Sequence, residues 1–175
     1  MKFFLHQHKR GTFFRYFHSC IGVNSLENQD LEFAKQKLIS EKLSLVIVKN
    51  QKVIFKTKKQ GISGFLQAIE KLNQNLSKSS IADKIVGVAA AMLCVYSDVS
   101  SVFAQTISEG GIRVLENNNI AHQFEKSVSC ILNRNKNDFC PFEKKAISCR
   151  NPREAYENLK DLSTQMTEKS KESGN

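Results

Sequence analysis

Three short stretches place reactive side chains where a helix would begin. Cys140 stands directly before Pro141, with Glu143 two residues further on and Lys144 and Lys145 behind it. Proline suits the first helical position because its missing N–H is not needed there. A thiol just ahead of it lies at the positive end of the helix dipole, which favours the thiolate and hence nucleophilic chemistry. Glu143 opposes this as a neighbouring negative charge, and no histidine is close in sequence to act as a base. A buried structural cysteine leading into a proline-started helix accounts for the same residues. Cys140 and Glu143 are therefore candidate catalytic residues with a structural alternative beside them.

The second stretch is Asp83-Lys84, read as the start of a helix that runs through Gly87 and the apolar residues after it. An aspartate there is either an N-cap or a catalytic carboxylate. Lys84 opposes the dipole, so it serves either a ligand or an ion pair with Asp83. Gly87 lowers helix propensity by roughly 1 kcal/mol relative to alanine, which points to close packing or to the approach of a ligand. The third stretch is Ser108-Glu109-Gly110-Gly111. Serine caps and glutamate complements the dipole, whereas two glycines in a first turn weaken a helix unless something comes close to the backbone.

The elements that must carry these stretches follow from periodicity. Asp30 is a plausible N-cap for a helix with Leu31, Ala34 and Leu38 on one face. Residues 43–57 read as a hairpin, two β-branched runs about the turn pair Asn50-Gln51. A helix capped by Ser63 follows, then a short strand, the nearly all-apolar helix through residue 96, and the strand from Ser101 that feeds the Ser108 helix. Residues 120–128 suggest a strand or an irregular connection, and 130–133 a short helical turn. The chain continues with a helix from Pro141 and a last one from Pro152. Alternating helices and strands predict a layered α/β sandwich over residues 30–162, with a basic, poorly ordered extension at 1–29 and a disordered polar tail at 163–175.

Composition narrows the function classes. The formal charge is +9, but Lys56, Lys58 and Lys59 and then Lys144, Lys145 and Arg150 form only small clusters without interleaved aromatics. That is a solvated basic surface rather than a nucleic-acid platform. Five cysteines with no C-x-x-C pair give neither a disulfide framework nor a zinc ribbon, and fit a reducing cytoplasm. No apolar run approaches the ~20 residues needed to span a bilayer.

The runs DLEFAKQKL, LVIVKNQKVIF, ADKIVGVAAAML, ISEGGIRVLENNNI and CPFEKKA, in this order, resemble domain of unknown function 1893, a family placed in the cytidine deaminase-like superfamily. The resemblance implies a three-layer α/β/α sandwich, with a mixed sheet flanked by helices. It also implies that the starts of two central helices meet at neighbouring strand ends. Deaminase chemistry needs a zinc-activated water held by H-x-E or C-x-E at one helix start and P-C-x-x-C at the next. Asp83-Lys84 and Ser108-Glu109-Gly110-Gly111 supply neither imidazole nor thiolate. Cys140 precedes its proline, and His122 with Glu125 has the wrong spacing. No metal and no cofactor are expected. Val88 also stands where the family pattern carries a lysine. The expected function is binding of a nucleotide or phosphate-bearing small molecule at Asp83, Lys84, Gly87, Ser108, Glu109, Gly110 and Gly111. The alternatives are a cysteine-dependent enzyme using Cys140 and a basic nucleic-acid-binding protein.

Overall fold

A computed structural model of the chain describes residues 25–133 and 135–172. The expected N-terminal extension thus lies, up to residue 24, outside the described residues. Helix α1 spans Ser25–Ser40, strand β1 Leu45–Lys49 and strand β2 Lys52–Thr57. Helix α2 is Ser63–Leu72, followed by a short 3-10 turn, and strand β3 is Ser80–Val86. Then come α3 (Val88–Tyr96), β4 (Ser101–Ser108), α4 (Glu109–Asn117) and β5 (Ala121–Val128). Helices α5 (Pro141–Ile147) and α6 (Pro152–Glu172) complete the domain.

The five strands form one mixed sheet in the order β2-β1-β3-β4-β5. β1 is antiparallel to both β2 and β3, whereas β3, β4 and β5 run parallel. The hairpin turns through Asn50 and Gln51, both at positive φ (52° and 62°), a geometry that matches the right-handed twist of the strands it joins. β1 is buried on both faces. Val46 and Val48 pack with Leu31, Ala34 and Leu38 of α1, while Leu45 and Ile47 face the core built by the other helices. The result is three layers, with α1 on one side of the sheet and the core under α2–α6 on the other.

The apolar-all-round stretch becomes α3, with Val88, Ala89, Ala90, Ala91, Leu93 and Cys94 buried. It lies against α4, α5 and α6 as well as β3, which is why it has no polar face.

Several boundaries differ from the sequence expectation. α1 begins at Ser25, so Asp30 lies inside the helix rather than capping it. Ile62, not Ser63, is the N-cap of α2, with no side-chain cap. Residues 130–133 form no helical turn; Leu132 instead bridges to Phe139 in an isolated antiparallel pair. α6 continues to Glu172 rather than giving way to a disordered tail at 163. Asp83 and Lys84 do not start a helix. β3 keeps pairing with β4 as far as Val86 opposite Ile107, and the turn into α3 comes only at Gly87.

Candidate functional site: a corner closed by Glu143

The parallel pair β3 and β4 delivers two helix starts side by side. Gly87, extended at φ −100° and ψ −169°, is the N-cap of α3. Ser108 caps α4, its Oγ accepting from the N–H of Gly111 at 3.0 Å. The helices approach closely because α4 begins with glycines. A Cβ on Gly111 would lie 2.9 Å from the carbonyl oxygen of Val86, and one on Gly110 would lie 2.6 Å from Cγ2 of Val88. Gly110 therefore makes room for the Val88 side chain.

The corner between the two starts contains a side chain of the protein itself. Glu143, in the first turn of α5, is buried, and its carboxylate accepts from the N–H of Val88 at 2.9 Å and of Ala89 at 3.3 Å. The Ser108 hydroxyl donates to the same Oε1 at 3.2 Å. Free N–H groups at a helix start need acceptors, and the positive dipole end favours an anion, so one carboxylate serves both needs. Gly87 is the position that permits this, since a Cβ there would collide with the Glu143 carboxylate.

Glu143 was legible as a candidate only beside Cys140. Its union with Gly87 and Ser108 was not. The available signal was an acidic residue in the first turn of a proline-started helix together with an unexplained glycine before α3. Cys140 is the N-cap of α5, half-buried and without a side-chain cap bond. Its N–H donates to the carbonyl of Ile131, and its own carbonyl accepts from Lys144.

The other expected site residues are spread more widely. Glu109 is exposed and reaches Arg113 at 4.0 Å. Lys84 is exposed on β3, and its backbone N–H donates to the carbonyl of Ser44. Asp83 is partly covered on the same strand, its Oδ1 accepting from the N–H of Ile85 at 3.0 Å. Burial pushes its carboxyl up to about 7, against the opposing pull of the Ile85 and Lys84 N–H groups. Burial, with the Asp83 charge adding to it, holds the Cys94 thiol on α3 well above the ordinary thiol range.

Two of the basic residues counted in surface clusters are committed, Lys56 to Glu41 at 2.7 Å and Lys144 to Asp138 at 2.6 Å. Among the described residues, no cluster of three or more histidine, cysteine, aspartate or glutamate side chains is placed to hold a metal ion. An open depression of about 250 Å³ lies away from the corner, between α2 and α6, lined in part by Lys59, Glu70 and Lys160. Glu70 and Lys160 pair across it at 3.0 Å.

These elements define a small α/β domain with a five-stranded mixed sheet flanked by helices. The family model for the Domain of unknown function (DUF1893), TM1506, matches residues 33–163, and the chain belongs to that family. A DUF1893 family protein from Thermotoga maritima has a similar fold, with a TM-score of 0.69 at 22% identity over 85% of this chain and 95% of that one. RibD from Acinetobacter baumannii gives a TM-score of 0.40 at 19% identity over 57% of this chain and 34% of its own. A diaminohydroxyphosphoribosylaminopyrimidine deaminase/5-amino-6-(5-phosphoribosylamino)uracil reductase from Thermotoga maritima gives 0.40 at 14% identity over 71% and 40%. The search of curated proteins returns no match.

Proposed function

We propose that the chain is a ligand-binding module of cytidine deaminase-like plan. The corner between the starts of α3 and α4 receives a small anionic or nucleotide-like group without a metal. The observation that carries this reading is the set of three donors, two backbone N–H groups and the Ser108 hydroxyl, already arranged around one carboxylate. A phosphate or carboxylate has the same charge and acceptor geometry. Gly87 leaves room for an acceptor at the start of α3, Gly110 and Gly111 let the two helix starts stand close together, Ser108 supplies a hydroxyl, and Glu109 adds its N–H at the helix start. Asp83 and Lys84 lie inside β3, four and three residues before Gly87, and stand outside this donor set.

The cysteine usage fits a reducing compartment, and we place the protein in the cytoplasm on that ground. Among the described residues no helix is long and apolar enough to cross a membrane.

The test is a titration of the full chain with a nucleoside monophosphate and with the matching nucleoside, followed by thermal shift and by the backbone amide resonances of Val88, Ala89 and Gly111. The expected result is stabilisation by the phosphorylated form only, with those three amides moving and with loss of the effect in Ser108→Ala. A ligand at ~100 times its Kd stabilises by about 2.7 kcal/mol. Stabilisation that leaves the three amides unmoved would place the site elsewhere.

A further inference from the structure

The sheet ends in two edge strands that are protected very differently. β2, at one edge, is six residues long, and its pairing with β1 is interrupted by a bulge between Ile47 and Val48. It carries Lys52 and Lys56, and Lys58 and Lys59 follow directly. Bulges and lysines on an edge keep one sheet from adding to another. β5, at the opposite edge, has eight residues in unbroken register with β4, from Ala121 opposite Ser101 to Val128 opposite Ser108. It contains no proline, no glycine and no bulge. Among the described residues, no backbone hydrogen bond from another segment reaches its outer edge. The N–H and C=O groups that point away from β4 are therefore open to a further strand.

We propose that β5 is a homodimerisation edge: two copies of the chain pair their β5 strands antiparallel about a twofold axis at Phe124, joining two five-stranded sheets into one. A twofold axis perpendicular to the sheet sets like faces side by side, so it must pass through a residue of the strand rather than between two. Only Phe124 and Glu125, as centres, keep seven residues of each eight-residue strand paired. Centring on Glu125 sets a carboxylate directly against its own copy, which is destabilising. Centring on Phe124 sets aromatic against aromatic and places Gln123 opposite Glu125 of the second copy. His122, stacked with Phe124 at 6.3 Å between ring centroids, then falls opposite Lys126 of the second copy. The surroundings fit a second copy as well. Although the chain carries +9 overall, the exposed charges on β5 and on α4 beside it are Glu109, Glu116 and Glu125 against Arg113 and Lys126. The lysines gathered at β2 would repel their copies, and β5 has no such cluster.

The experiment is sedimentation velocity of the full chain over a hundredfold range of concentration, on wild type and on two variants of one half-buried position, Gln123→Lys and Gln123→Glu. In the proposed register each replacement faces Glu125 of the second copy, and symmetry makes the contact twice. Wild type should be a reversible dimer. Gln123→Lys, which creates two opposite-charge pairs, should associate more tightly, and Gln123→Glu, which creates two like-charge pairs, less tightly. The dissociation constants of the two variants should differ roughly tenfold at low salt and converge at high salt. Net charge alone acts the other way, since a chain at +9 repels its copy less when it gains a carboxylate. The double variant Gln123→Glu/Glu125→Lys restores opposite charges across the axis and should regain the tighter association. A wild type that stays monomeric throughout the range overturns the proposal. So does a dimer whose strength ignores both substitutions, or one that Gln123→Glu strengthens.

Discussion

Two buried carboxylates, one on each side of the sheet, solve the same local problem with different consequences. Asp30, in α1, accepts from the N–H groups of Asn50 and Gln51 at 2.7 Å each. Both donors point out of a turn whose residues lie at positive φ, a concavity of N–H groups suited to an anion. Glu143 likewise accepts from two successive N–H groups, and from a serine hydroxyl besides. Asp30 fastens one helix to a hairpin tip. Glu143 joins α3, α4 and α5, and its donors belong to two helix starts whose dipoles add. The same chemical device ties one helix to a hairpin tip in one place and joins three helices in the other.

Substitution at the two carboxylates breaks this comparison most forcefully. Glu143→Ala leaves two buried N–H groups and a serine hydroxyl without their anion, and should cost about 3–5 kcal/mol. For a domain of this size that lowers Tm by roughly 10 °C in a thermal melt. Asp30→Ala should cost about 2–3 kcal/mol, since the hairpin turn is nearer to water and its N–H groups are more readily rehydrated. Addition of formate should restore part of the lost Tm in Glu143→Ala and little in Asp30→Ala.

Asp83 sharpens the contrast, because it is a carboxylate whose surroundings do not offset its burial. With a folded value of about 7 against an ordinary 3.8, the folded chain holds a proton that the unfolded chain has released. Stability should therefore fall as pH rises from about 4 to about 7 and level off above that. Asp83→Asn should flatten this slope and raise stability at pH 8 by about 2 kcal/mol, allowing for the solvent that still reaches the group. Urea unfolding of both proteins at pH 5 and pH 8 measures it. The smallest effect belongs to Ser108→Ala, which removes one cap and one bond to Glu143 and should cost about 1 kcal/mol.

The regularities within single elements were legible in sequence, and the meetings between elements were not. The hairpin could be read from its alternating branched residues and its turn, α3 from its lack of a polar face, and the Ser108 cap from serine, glutamate and two glycines in order. Asp83 and Lys84 were misplaced because Asp-Lys before an apolar run fits a helix start as well as a strand end. What decides is the pairing of Val86 with Ile107, a contact between residues 21 apart. Asp30 was read as a cap for the same kind of reason; its true partners are 20 and 21 residues away. Gly87 was suspected of admitting something close, yet nothing in its neighbours says that the visitor is Glu143. The α1 boundary and the length of α6 were missed because polar helical ends carry little apolar periodicity.

The central claim, that Glu143 holds both helix starts, is tested most directly by the backbone amide spectrum of wild type against Glu143→Gln. Replacing the carboxylate by an amide keeps its size and removes its charge. The account predicts large shifts and faster hydrogen exchange at Val88 and Ala89, a smaller shift at Gly111 through Ser108, and no change at Asn50 and Gln51. Unmoved Val88 and Ala89 resonances would contradict it, since the carboxylate could not then be what they donate to.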